Sequence, residues 1–258
     1  MQLRDAAATL GVHYQTAYGW VRQGMLPARK TPRGYEVSES DVSAMAALRA
    51  VGAEPRREVR VRDWTAQAGQ LYEALVGGDE QRARRDFERL AAGVTLTDLC
   101  ELFIAPALRQ IGAAWAAGEL SIAAEHRASA ICERLIAART QQPPGRPRGT
   151  AVTATAPGDR HALPAMMAAA CLREDRWRVH HLAADLPVSE VAGLAADTGA
   201  GLVVLSSATT ESAQLAQQAV REIRRRLPGV HVLAGRPGDT LTLLRDRARK
   251  GSPRHAHE

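Results

Sequence analysis

The apolar positions along the chain change period twice, and each change marks a new kind of structure. Near the start, Leu3, Ala7 and Leu10 share one face of a short helix predicted over residues 4–10. Gly11 supplies a turn. Val12, Ala17, Trp20 and Val21 then recur at helical spacing, so a second helix is expected over residues 14–23, ended by Gly24 as a C-cap. Leu26-Pro27 and Arg29-Lys30-Thr31-Pro32-Arg33-Gly34-Tyr35 read as a turn-tipped, two-stranded wing. Ser40-Asp41 is expected to cap a third helix running through Arg49.

From residue 63 to residue 140 the period is helical throughout. Trp64, Ala68, Leu71 and Leu75 form one stripe, which Gly77-Gly78 closes. A second helix follows from Glu80 to Ala92 around Phe87 and Leu90. Thr95 and Asp98 make a capping-box pair for a long third helix through Trp115, in which Pro106 is expected to cause a kink. Gly118 ends it, and Ser121 starts a fourth helix that stops near Thr140. Four helices with short connections predict an up-down bundle.

Beyond residue 150, short apolar runs alternate with helical periods. Strands over 150–155, 177–182, 201–206 and 230–233 are separated by helices over 163–173, 188–198 and 212–227. That is a doubly wound parallel sheet, whose ligands bind at the carboxyl ends of the strands. No fifth strand is expected, because Thr240 to Leu244 is short and runs into a basic tail. Gly52 to Glu58 reads as a linker, and the Pro- and Gly-rich run from Gln141 to Gly149 can be crossed by neither helix nor strand. The expected fold is multidomain: a winged helix-turn-helix over 1–51, a four-helix bundle cap over 63–140, and an α/β Rossmann-like, flavodoxin-type domain over 150–247.

Charge narrows the partners. The net charge is +6, which favours a polyanion only weakly, but its placement is informative. Arg22, Arg29, Lys30 and Arg33 fall in a stretch with no acid between Asp5 and Glu36, and Arg4 lies just upstream of it. No apolar run is long enough to cross a membrane, and the first residues lack a signal-peptide core. Cys100, Cys132 and Cys171 lie far apart, which argues against a disulfide framework or a cysteine zinc site. These features point to the cytoplasm, and to binding rather than catalysis.

A second helix exposing Tyr14, Gln15, Tyr18 and Arg22 can enter a major groove. Gln15 can pair with a base edge while the others reach phosphates, and the wing residues Arg29, Lys30 and Arg33 suit the adjacent backbone. The alternative is a helix-turn-helix used for protein contacts, with the basic run as a solvated face. The segments AAATLGVHYQTAYGWVRQGMLP and RKTPRGYEVSESDV resemble the DNA-binding domain of the MerR and excisionase-like families. That resemblance implies operator DNA as a partner.

The cap carries Trp115, nine residues, then Glu125-His126. A helical hairpin brings these positions to one end of a bundle. Taken alone, the pattern also suits a core Trp beside a surface Glu-His pair. It resembles the CarH/LitR family of cobalamin-dependent photoreceptor regulators, whose bundle carries the same spacing. The resemblance implies that Trp115 lies over the upper ligand of adenosylcobalamin, with Glu125 and His126 lining the same pocket. Photoreceptors of that family place a His directly after the Trp. Here the position is Ala116, so the resemblance supports cobalamin sensing further than light sensing.

At the end of the first long strand stands Gly158-Asp-Arg-His-Ala-Leu-Pro164. Corrinoid-binding domains carry Asp-x-His-x-x-Gly there, then Ser-x-Leu, then Gly-Gly, at spacings this chain matches with Ser206-Ser207-Ala208 and Ala234-Gly235. Pro164, Ala208 and Ala234 are departures, and Pro164 is expected at the first position of its helix. The resemblance implies His161 as the lower axial ligand of cobalt, Asp159 holding its other ring nitrogen, and Ser206, Ala234 and Gly235 leaving room for the nucleotide tail. One wall of that tail pocket has no element assigned to it. The order of the three segments resembles CarH/LitR over nearly the whole chain. That order implies a homo-oligomeric repressor-type regulator controlled by adenosylcobalamin. The rival readings are a regulator of the same architecture that lacks cobalamin or senses another ligand, and a corrinoid carrier for methyl transfer.

Overall fold

The computed structural model describes residues 1–22, 26–31, 34–50, 63–142 and 144–250, without the side chains of 22 and 47–50. The expected Gly24 cap and the linker at 52–58 lie outside these residues. The chain divides into two compact units, Met1–Asp63 and Trp64–Glu258.

The first unit runs α1 (Leu3–Thr9), α2 (Tyr14–Arg22), a hairpin of β1 (Arg29–Thr31) and β2 (Gly34–Glu36), and α3 (Glu39–Ala50). Gly11 takes φ +64°, a conformation open to glycine, and turns the chain between α1 and α2. Leu3, Ala6, Leu10, Ala17, Leu26, Val37, Val42 and Met45 share one core. The third helix starts earlier than its expected Ser40-Asp41 cap. Ser38 is the capping residue, its Oγ accepting the Asp41 amide at 3.0 Å, because that amide has no carbonyl partner within the first turn.

The second unit opens with α4 (Trp64–Gly77) and α5 (Glu80–Ala91). Gly78, at φ +72°, turns between them, and Asp79 caps α5 by accepting the Arg82 amide at 2.9 Å. The predicted capping box of Thr95 and Asp98 forms and starts α6 (Leu96–Leu99). A π-helical segment, Cys100–Ile104, follows directly, then α7 (Ala105–Ala116). Instead of a simple kink, the backbone widens by one residue just before Pro106, which has no N–H to donate. Gly118 ends α7, and Ser121 caps α8 (Ile122–Arg139) by accepting the Ala124 amide at 3.2 Å.

The α/β part contains β3 (Gly149–Thr155), α9 (Ala162–Glu174), β4 (Trp177–His181), α10 (Val188–Asp197), β5 (Leu202–Ser206), α11 (Thr210–Arg226), β6 (His231–Ala234) and α12 (Leu241–Lys250). All pairings are parallel, in the order β4-β3-β5-β6, with Thr155 beside Ser206 and Leu205 beside Ala234. Side chains of α10 and α11 pack on one face of the sheet, and those of α9 and α12 on the other. The stretch from Leu241 to Lys250, read as a short segment running into a basic tail, is therefore a helix that covers the sheet. Thr240 starts it, its Oγ1 accepting the Leu243 amide at 3.1 Å.

The helices after Trp64 and the α/β part share a core in which Phe87, Phe103, Ile104 and Ile111 cluster with Leu163, Met167 and Ala170 of α9. Two carboxylates tie the parts at helix starts. Glu174, at the end of α9, accepts the Leu96 and Thr97 amides at 2.6 and 2.9 Å. Glu101 accepts the Thr242 amide at 2.9 Å. Negative charge at a helix N-terminus satisfies its free amides and opposes its dipole favourably. No helix among the described residues is long and apolar enough to cross a membrane.

Candidate cofactor site

The carboxyl end of β3 carries a braced loop. Thr155 Oγ1 donates to the Asp159 carbonyl at 2.8 Å and accepts the Asp185 amide at 3.0 Å, while the Gly158 amide donates to Asp185 Oδ1 at 3.1 Å. Gly158 turns the loop at φ +76°. This fixes Asp159, whose side chain is only 1% exposed, behind His161, whose side chain is 60% exposed. Asp159 Oδ1 lies 2.7 Å from His161 Nδ1, and Oδ2 accepts the Ala208 amide at 2.7 Å.

Burial alone would raise the Asp159 pKa. The Ala208 and His161 amides, the Ser212 hydroxyl and the His161 ring outweigh it and hold the group below the ordinary carboxylate range. An ionised carboxylate only accepts, so His161 presents Nδ1–H to it, and the neutral ring in that tautomer carries its lone pair on Nε2. A buried carboxylate behind an exposed imidazole is the arrangement that orients a metal-ligating histidine. Among the described residues no cluster of three His, Cys, Asp or Glu could hold a free ion. A single oriented imidazole suits a metal that brings most of its own ligands. Ala208, a departure from the motif, contributes through its backbone, so the substitution leaves this contact intact.

Beside the loop, a cavity of about 330 Å³ opens at the ends of β5 and β6. Ser206, Ser207, Ala234 and Gly235 line it, with Pro164 and Met167 from α9, Cys100 and Glu101 from the π segment, and Leu241 and Leu244 from α12. Thus α12 supplies the wall that the sequence left unassigned. Pro164 is the third residue of α9, not the first, and it fits there because the first helical amides have no intrahelical partner. Among the described residues, Ser207 Oγ is buried without a hydrogen-bond partner. A Cβ at Gly235 would lie in ordinary contact with the Leu205 carbonyl, at 3.6 Å. Cys100 is held as a neutral thiol, its pKa pushed up by burial. An apolar slot with one orphaned hydroxyl fits a flat heterocycle bearing a polar atom.

Trp115, Glu125 and His126 do not line this cavity. Trp115 ends α7 with 49% of its surface exposed. In the first turn of α8, Glu125 accepts from Ser129 Oγ at 2.8 Å and lies 2.5 Å from Nδ1 of the next residue, His126, whose side chain is 71% exposed. In the first unit, Tyr14, Gln15 and Lys30 are exposed. Tyr18, expected at the surface, is half-buried: it stacks on Tyr14 at 6.2 Å and meets Tyr35 edge-on at 5.8 Å. Arg29 is exposed but pairs with Glu36 at 2.9 Å. The Arg22 side chain and Arg33 lie outside the described residues. Sequence reasoning missed Ser207 and the α12 wall, although Ser207 directly follows the predicted Ser206.

Residues 67–140 match a family model described as a B12 binding domain, and residues 149–245 match another of the same description. The chain is a cobalamin-binding protein. This cobalamin-binding chain is 25% identical over 263 aligned positions to the HTH-type transcriptional repressor CarH of Myxococcus xanthus, covering 91% of this chain and 88% of that one. Its fold is similar to the monomethylamine corrinoid protein of Methanosarcina barkeri. The TM-score is 0.51 and the identity 20%, over 66% of this chain and 84% of that one.

Proposed function

We propose that the chain is a cobalamin-sensing transcription regulator. In this reading Met1–Asp63 is a winged helix-turn-helix that binds double-stranded operator DNA, and adenosylcobalamin held by the second unit controls that binding in a cytoplasmic homo-oligomer. The carrying observation is the buried Asp159 orienting an exposed His161 beside an open, apolar slot. His161 Nε2 would hold the cobalt, and Ser206, Ala234 and Gly235 would admit the nucleotide tail. Bound cobalamin would supply a cobalt centre that His161 could hold and that could carry an exchangeable group. Trp115, Glu125 and His126 read that second group. Half exposed, Trp115 has apolar surface left to cover with a ligand. In the first unit Gln15 reads base edges, while Tyr14, Arg22, Lys30 and Arg33 reach phosphates. The match to an HTH-type transcriptional repressor over most of its length supports the reading. Ala116 supplies no imidazole, so a light response would have to draw on His126 instead.

The test uses the full chain with adenosylcobalamin, in the dark and after green light, against a pool of random duplexes. Enrichment of one duplex that depends on the corrinoid is the expected result. A protein-bound corrinoid spectrum without any sequence-selective DNA binding would overturn the regulator and favour a corrinoid carrier.

A further inference from the structure

The mouth of the cavity carries charge that its apolar walls do not explain. Arg109, Arg236 and Arg247 line it, against the carboxylates of Glu101 and Asp239. Both carboxylates are already committed. Glu101 accepts the Thr242 amide and hydroxyl at 2.9 and 3.0 Å, and Asp239 accepts the Arg236 amide at 3.1 Å and Arg247 Nη1 at 3.2 Å. Arg236 and Arg109 keep guanidinium groups without a hydrogen-bond or ion-pair partner among the described residues. Arg236 directly follows the small Ala234-Gly235 pair that lines the slot, and Ser207 Oγ, buried without a hydrogen-bond partner among the described residues, marks the inside of the same slot as expecting a polar ligand atom.

We propose that Arg236, seconded by Arg109, recognises the phosphate of the corrinoid's nucleotide loop. In that role it makes the chain selective for corrinoids that carry a complete loop. The inference rests on cobalamin binding in this slot. A guanidinium is always charged and matches phosphate oxygens with paired donors, which a tail held by apolar contact alone would not need. The ring of the tail takes the apolar interior, and the phosphodiester stays at the mouth, where the arginines are exposed to solvent and carry no desolvation cost until the ligand arrives.

Titration of the full chain with adenosylcobalamin and with adenosylcobinamide, which lacks the whole nucleotide loop, tests this. Arg236→Gln should weaken adenosylcobalamin about tenfold, or about 1.4 kcal/mol, and leave adenosylcobinamide unchanged. Arg236→Lys should recover part of the loss, and Arg109→Gln should add to it. As a second measurement, the free tail fragments α-ribazole and α-ribazole phosphate are titrated by NMR. Only the phosphorylated fragment should lose affinity in Arg236→Gln. Equal losses for both corrinoids, equal losses for both fragments, or no loss at all would overturn the proposal. Failure of the unmodified chain to bind either corrinoid would instead overturn the cofactor reading beneath it.

Discussion

Asp159 holds the Nδ1 of His161 at 2.7 Å with one oxygen and the amide of Ala208 at 2.7 Å with the other, so the ends of β3 and β5 jointly orient one exposed imidazole. The pair makes two separable predictions. His161→Ala removes the proposed cobalt ligand and should abolish retention of cobalamin on gel filtration. Asp159→Asn keeps a hydrogen-bond acceptor but loses the charge, and should weaken binding by roughly 10–100-fold, the usual effect of losing an orienting partner. Equilibrium dialysis reads both. An Asp159→Asn protein that binds as tightly as the parent would reduce the carboxylate to a loop brace.

Two half-buried histidines predict acid sensitivity of the fold. Burial, and then the nearby Arg173, lowers the pKa of His181, while burial and then Arg224 lower that of His231. A histidine with a depressed folded pKa binds fewer protons folded than unfolded, so its neutral form supports folding above the unfolded value of about 6.5. That support is lost as pH falls below it. Thermal melts should therefore show Tm dropping between pH 7 and pH 5.5. The His181→Gln/His231→Gln double variant should flatten that drop, and an unchanged slope would place the acid-sensitive groups elsewhere.

Gly78 is predicted to resist substitution. It sits at φ +72°, and a methyl group there would lie 2.7 Å from the Arg127 guanidinium, which donates to the Val76 carbonyl at 2.7 Å. Gly78→Ala should cost about 1–3 kcal/mol in urea unfolding, the range for a strained left-handed residue. Adding Arg127→Ala should recover only the part due to crowding, since the backbone strain persists. Full recovery in the double variant would show that φ contributes nothing.

Much of this was readable from local pattern. The Thr95–Asp98 capping box, the Gly78 and Gly118 turns and the four parallel strands follow from residues adjacent in sequence. So does the Asp159-x-His161 pair, because its spacing sits at a strand end. Two features were not readable that way. The helix after Thr240 was masked by its basic residues, although Leu241, Leu244 and Ala248 lie at helical spacing; only its packing on the sheet makes that stripe meaningful. Tyr18 looked like a surface residue on α2 because its partner Tyr35 comes from the hairpin, and aromatic stacking across such separations leaves no local signal.

The first unit is predicted to divide its labour between base reading and charge. Lys30 is exposed on β1, whereas Arg29 is partnered by Glu36. Lys30→Ala should weaken all duplexes alike and reduce the slope of log affinity against log salt by about one, because one phosphate contact releases about one counterion. Gln15→Ala should leave that slope alone and change preference at one base pair, by about 1–3 kcal/mol. If both variants shift slope and neither shifts preference, α2 lies along the backbone and not in the groove.

The riskiest prediction concerns Trp115. With 49% of its surface exposed at the end of α7, its indole is not core packing, so truncation leaves no internal void in the apo protein. Trp115→Ala should change apo stability by well under the 3–5 kcal/mol that a buried aromatic would cost. It should also keep cobalamin, since the proposed lower ligand and the tail slot lie elsewhere on the unit. What it should lose is discrimination at the upper face. A large flat apolar ring can cover an adenosyl group but gains nothing over a hydroxo or aquo ligand. The parent should therefore prefer adenosylcobalamin to hydroxocobalamin, and Trp115→Ala should bind the two alike. Its assembly state, measured by light scattering, should no longer depend on which form is bound. Glu125 and His126, hydrogen-bonded to each other on α8, serve as the comparison, because Glu125→Gln should soften the same preference without removing it. A Trp115→Ala protein that kept both its preference for the adenosyl form and its ligand-dependent assembly would show that the exposed indole reads nothing, and that the spacing from Trp115 to His126 is incidental to the fold.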